Sequence, residues 1–233
     1  MKKIFFLLLI SSFAFNTTAQ NLSVPHYGIK VGVNHSNFNY TQYNYLFLGL
    51  VKPDAGLGIP TTTYNTGIKA GAFVDLKLSK RWHISPTVSY SQFGVISEKN
   101  RIWNTDTIRT TGNEVKTYKM DYVTVDANFE YRVTDRFSLL VGPSGGYLIS
   151  NNVVKVVTEE GIVRTGTEDS YNGKIEGVNM MDAGLNLGAS FFITEHLDVD
   201  LNLYLGMLGF ENIDEGYQKA LQAGTLSFGY TFN

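Results

Sequence analysis

The chain has no cysteine and only 5 prolines in 233 residues. Without cysteine there is no disulfide framework, no thiolate metal site, no thiol nucleophile and no lipid-acceptor thiol of a lipoprotein. Positive charge is not in excess either, since 19 Lys and Arg stand against 21 Asp and Glu. The electrostatic footprint of a nucleic-acid binder is therefore missing, and no nucleic-acid partner is expected. Beyond residue 15 no run reaches the ~18 apolar residues from which a spanning helix is read, and mean hydropathy is near neutral at −0.07. One way of meeting a membrane survives these absences: hydrophobicity hidden by alternation along strands.

What the chain does contain fits that way. It is rich in Tyr (14), Phe (15) and Gly (23). Lys2 and Lys3 form a positive start, residues 4–15 are largely apolar, and Thr17-x-Ala19 offers the small residues of a cleavage site before Gln20. Residues 1–19 therefore read as a secretory signal peptide, too short in its apolar part for a spanning helix. Residues 20–233 read as one domain. Loss of Lys2 and Lys3 leaves 17 basic against 21 acidic residues, a formal charge of −4.

Period-two alternation recurs along the whole domain. Leu197, Val199, Leu201, Leu203 and Leu205 oppose Asp198, Asp200, Asn202, Tyr204 and Gly206. Val123, Val125, Ala127, Phe129 and Tyr131 likewise oppose Thr124, Asp126, Asn128, Glu130 and Arg132. Segments 68–78 and 181–193 repeat the pattern, and 27–34, 82–96, 137–149 and 219–232 carry weaker versions. Such segregation is the mark of strands with two unlike faces. Short polar turns at Ser79-Lys80-Arg81, Thr134-Asp135-Arg136 and Thr194-Glu195-His196 alternate with long loops at about residues 35–65, 97–114, 150–179 and 209–218. Long and short in alternation is the loop order of a small outer-membrane barrel. The sequence therefore predicts an all-β, antiparallel up-and-down transmembrane β-barrel of about eight strands, monomeric, with both termini in the periplasm.

Cost decides which face meets lipid. A Lys or Arg facing lipid at the bilayer midplane costs ~2–4 kcal/mol, so the charged faces must point into the lumen. Lys30, Lys69, Lys77 and Arg132 are expected to pair there with Asp75, Asp126, Glu130, Asp182, Asp198 and Asp200. An eight-stranded barrel is just wide enough for side chains to fill it, so a water-filled pore is not expected. Gly-rich faces on the first and fifth strands leave room for a narrow path or a small ligand. Trp82 and Phe137 beside the short turns, and Tyr118, Tyr122 and Tyr147 toward the long loops, are placed as interfacial girdles would be.

The signal peptide, the Gly71-Ala72-Phe73 run into Leu78-Ser79-Lys80-Arg81-Trp82, its echo from Gly188-Ala189 into Thr194-Glu195-His196-Leu197, and the terminal Phe228-Gly229-Tyr230-Thr231-Phe232 resemble the PorT-type outer-membrane β-barrel family of Bacteroidetes-like bacteria. The resemblance covers nearly the whole domain. It implies handling by the barrel-assembly machinery, which reads the last strand, although Asn233 stands where a terminal aromatic is usual. It also implies a place among barrels of which some serve protein secretion, and it brings no catalytic motif.

Enzyme chemistry at the outer rim would need a histidine near a nucleophile or a carboxylate. His26, His83 and His196 fall on the periplasmic side, leaving His35 beside Ser36, and neighbours on a strand point to opposite faces. Glu159, Glu160, Glu168 and Asp169 lack the spacing and central Gly of a calcium loop, and Gly173-Lys174 lacks the rest of a phosphate loop. No catalytic residue, cofactor or metal is expected. The segment 35–65 carries Tyr40, Tyr43, Tyr45, Phe47, Leu48 and Leu50 before Pro53, too apolar for a plain solvated loop. Such a segment either folds back over the barrel mouth as a plug or cap, sits in the outer headgroups, or forms a partner surface, for which Tyr43, Phe47 and Leu50 are the expected binding residues toward a protein of a secretion or surface complex. The reading is thus a non-enzymatic barrel presenting loops to a partner. The alternatives are a lipid-modifying enzyme at the outer rim and a soluble secreted barrel around a small apolar ligand.

Overall fold

The computed structural model describes residues 24–42, 61–104, 109–159, 162–171, 180–207, 210–211 and 217–232. Ten strands follow in order: β1 (His26–Gln42), β2 (Thr61–Lys77), β3 (Trp82–Asn104), β4 (Arg109–Thr134), β5 (Phe137–Glu159), β6 (Ile162–Tyr171), β7 (Met181–Phe192), β8 (Leu197–Gly206), β9 (Phe210–Glu211) and β10 (Tyr217–Phe232). Eight of them, β1 to β5 with β7, β8 and β10, pair antiparallel in sequence order. The ring closes where β1 meets β10, from Tyr27 against Phe232 to Gln42 against Tyr217. Closure leaves no unpaired edge in the wall, which a membrane-spanning sheet requires.

The two unlike faces fall as the alternation predicts. Val125, Leu139, Val141, Leu187, Leu201 and Phe228 are exposed on the outside, while Asp126, Glu130, Asp198 and Asp200 are buried inside. A soluble barrel with its aliphatic faces inward is the reverse of this arrangement. The short turns lie at one end, residues 79–81, 135–136 and 193–196. Beside them Trp82 packs on Tyr131 with ring centroids 5.0 Å apart, and Tyr230 meets Phe232 edge-on at 5.4 Å. Exposed Trp82, Tyr230 and Phe232, with half-buried Tyr131, form the aromatic girdle of the periplasmic interface.

Three expectations need correction. The long loops are shorter than the sequence suggests, because strands continue through them: β1 reaches Gln42, β3 reaches Asn104, β4 begins at Arg109, and β5 with β6 occupies much of 150–179. Tyr122 belongs to no girdle. Only 1% exposed, it lies in the lumen, and Tyr118 packs against the same inner cluster. Of the three outer tyrosines only Tyr147 is exposed. Nor do the lumenal glycines leave an open path through the barrel, although Gly146 lines a small cavity. A Cβ at Gly28 would overlap the Phe73 ring, and one at Gly146 would meet the Tyr122 ring at 3.1 Å. Their missing side chains are the space into which those rings pack.

Candidate functional site: the lumen and the outer extension

The lumen is layered from the periplasmic end outward. At its mouth a vestibule of about 550 Å³ lies among the short turns, with Arg132, Glu130, Asp75 and Lys30 in its wall. The Arg132 Nη2 lies 3.5 Å from Asp75 and its Nε 3.4 Å from Glu130. Ser138 donates to Glu130 at 2.6 Å, and His83 Nδ1 donates to Asp75 at 2.9 Å. Lys30 lies 3.2 Å from Asp198, also pairs with Asp200, and sits 4.7 Å from the centre of the Phe73 ring. Higher up, Lys69 donates to Asp126 at 2.9 Å while Ser144 holds that carboxylate's other oxygen. Asn34 accepts from Thr225 at 2.7 Å and donates to the Gln92 carbonyl at 3.1 Å. Such cross-lumen bonds tie strands far apart in sequence, and Lys30, Lys69 and Arg132 each find the carboxylate partners that burial demands.

Two members of the expected network stand outside it. Lys77 is exposed at the end of β2 and has no ion-pair partner among the described residues. Asp182 is buried and makes no ion pair among the described residues, Lys69 in the same cavity wall being taken by Asp126; it accepts from the Tyr204 hydroxyl at 2.8 Å. The sequence reading matched acids to bases by face alone, and a face says nothing of height along the barrel.

Above Asp182 the lumen turns apolar. Phe38, Phe93, Val95, Met120, Leu148 and Leu221 join Tyr122 and Tyr204 in one buried cluster that closes the outer half. Phe93 packs edge-on to Tyr122 at 5.6 Å and stacks with Tyr204 at 6.3 Å. Sequence reasoning missed this plug, although its signal was present. Met120 and Tyr122 share parity with Thr124 and Asp126, and Phe93 and Val95 share parity with Ser89 and Ser91.

Outside the wall, β3, β4 and β5 run 23, 26 and 23 residues, against the ~9–11 that span a bilayer. The exposed apolar run on β4 covers Val123 to Val133, so residues 109–121 continue past it, paired with β3 throughout. β6 pairs only with the outer half of β5. A paired β-extension therefore projects beyond the outer rim. Tyr43, Phe47 and Leu50 lie outside the described residues. His35 and Ser36 do point apart. His35 is exposed, stacked 4.9 Å from Tyr64 and 3.3 Å from the Thr66 hydroxyl, whereas buried Ser36 donates to the Gly94 carbonyl at 2.7 Å.

A closed antiparallel ring with an apolar outside, a charged inside and a girdle beside short turns defines an integral outer-membrane β-barrel. The chain belongs to the family described as outer membrane protein beta-barrel domain, whose model matches residues 18–212. No curated protein matches the chain. Among solved structures it is similar to neisserial surface protein A, at 10% identity and a TM-score of 0.41, covering 91% of this chain and 98% of that one. It is also similar to Ail, the attachment invasion locus protein of Yersinia pestis, at 13% identity and a TM-score of 0.37, covering 89% and 98%. A third likeness is to OprG of Pseudomonas aeruginosa, at 11% identity and 0.35, covering 89% and 96%.

Proposed function

We propose that this protein is a non-enzymatic accessory barrel that acts through its outer surface, presenting its extension and the segment carrying Tyr43, Phe47 and Leu50 to a protein partner, and that it assists protein secretion as some PorT-type barrels do. The observation that carries the reading is the length of β3, β4 and β5, which puts ordered, paired backbone well beyond the membrane. Ordered backbone outside the bilayer offers a partner a surface already fixed in shape, lowering the entropic cost of docking. The apolar plug supports the same reading, because it fills the outer half of the lumen and leaves the rim as the accessible outer surface. A lipid-modifying enzyme finds less support: His35 and Ser36 lie on opposite faces, and the groups near His35 are Tyr64 and Thr66. Export through a cleaved signal peptide of residues 1–19 and insertion by the barrel-assembly machinery complete the proposal. Crosslinking in native outer membranes followed by pull-down of the tagged protein tests it. A stoichiometric partner from a secretion or surface complex, lost when Tyr43, Phe47 and Leu50 are changed to Ser, is the expected result. Recovery of the barrel alone would overturn it.

A further inference from the structure

Among the described residues the lumen holds more acid than base. Asp75, Asp126, Glu130, Asp182, Asp198 and Asp200 project into it against Lys30, Lys69 and Arg132. Ion pairs account for five of the carboxylates: Lys30 serves Asp198 and Asp200, Lys69 serves Asp126, and Arg132 serves Asp75 and Glu130, Asp75 also accepting from His83. Asp182 is left over. It is 6% exposed, its Oδ2 accepts from Tyr204, and its Oδ1 has no hydrogen-bond partner among the described residues. A buried carboxylate without a cation is costly, so something must compensate it.

A second observation points to the same place. The Tyr122 hydroxyl is buried, 1% exposed as a residue, and without a hydrogen-bond partner. The Asn202 side-chain oxygen is buried and unpartnered too. Tyr122, Asp182 and Asn202, from β4, β7 and β8, line one cavity of about 30 Å³ directly beneath the plug, whose wall also holds Lys69, with its ammonium on Asp126 at 2.9 Å. That is room for a small ion, since a cavity takes a water from roughly 10–15 Å³ upward. Cavities follow one another from the periplasmic mouth to this site. The vestibule shares Lys30, Ser85 and Glu130 with a second cavity of about 30 Å³, and that one shares Lys69, Asp126 and Asn202 with the cavity under the plug.

We propose that the cavity beneath the plug binds one small monovalent cation, Na+ or K+, taken up from the periplasm, with Asp182 supplying the charge and Tyr122 and Asn202 supplying neutral oxygens. One carboxylate with neutral oxygens suits a singly charged, hard ion. Among the described residues no group of three His, Asp or Glu side chains is placed to hold a more highly charged metal.

The test is thermal unfolding of the purified full-length barrel at constant ionic strength, with NaCl or KCl exchanged for N-methyl-D-glucamine chloride, whose cation is too large for the cavity. The wild type is expected to melt several degrees higher in Na+ or K+, with the midpoint rising as the ion concentration rises. Asp182→Asn is expected to lose that difference, and Tyr122→Phe, which removes only a hydroxyl, to weaken the ion dependence severalfold. Tyr122→Phe carries the test if the Asn variant does not fold. Direct occupancy is read from Tl+ anomalous scattering at the same cavity. Equal midpoints in Na+ and N-methyl-D-glucamine would overturn the proposal, all the more if stability rose instead on acidification, for then a proton compensates Asp182. An unchanged ion dependence in both variants would overturn it as well, because the ion would lie elsewhere.

Discussion

Lys30 holds two carboxylates at once, so the Lys30→Met variant leaves Asp198 and Asp200 buried side by side without a cation. Breaking a buried pair in this way costs about 3–5 kcal/mol, and urea unfolding in detergent is expected to show the midpoint falling accordingly. Exposed Lys77→Met is the control, with a change within about 0.5 kcal/mol. Gly229 lies against the same cluster, where an added Cβ would overlap the Asp198 carboxylate. Gly229→Ala is expected to push that carboxylate off Lys30 and cost about 1–3 kcal/mol by overpacking. The same unfolding curves measure it, and a midpoint equal to wild type would show that the wall yields there. At this scale the sequence told which residues face inward, because parity is a local property. It did not tell who meets whom, since Lys30 and Asp200 are 170 positions apart and their heights depend on the stagger of the closed ring.

The short turns were legible because each breaks an alternating run with two or three polar residues, and the polar side chains cap their own backbone. The Ser79 hydroxyl accepts from the Trp82 N–H at 3.2 Å and the Thr194 hydroxyl from the Leu197 N–H at 3.0 Å. The outer strand ends were not legible. Past the membrane there is no lipid to force one face apolar, so a stretch such as Ser97-Glu98-Lys99-Asn100-Arg101 reads as loop while its backbone stays paired with β4. A register shift adds to the difficulty: between Asp121 and Tyr122 the pairing to β5 slips, and the buried positions on β5 pass from Leu148 to Asn151 and Val153. A bulge of this kind reverses parity and hides the strand from any period-two count. Replacing residues 99–114 with an Asn-Gly turn removes the hairpin tip yet leaves the β3–β4 pairing from Trp82–Tyr131 to Glu98–Val115 intact. The shortened barrel is expected to keep its heat-dependent shift on gels and to lose partner capture. Loss of the folded band would show instead that the extension is needed to build the barrel.

For the molecule as a whole, the alternation made the ring and its polarity readable, while the plug escaped because its side chains are as apolar as those that face lipid. Only their parity separates Phe93 and Met120 from the outer belt. The result is a barrel open as a vestibule toward the periplasm and filled with aromatic and aliphatic side chains toward the outside. On this account the protein works by what it displays at the outer rim, not by what passes through it. Conductance of the purified wild-type barrel in planar lipid bilayers tests that claim most directly. The expected result is no steady current above that of the bare membrane in NaCl or KCl at either polarity. A stable, ohmic open state in the unmodified protein would contradict the account and make the lumen, rather than the outer extension, the working part.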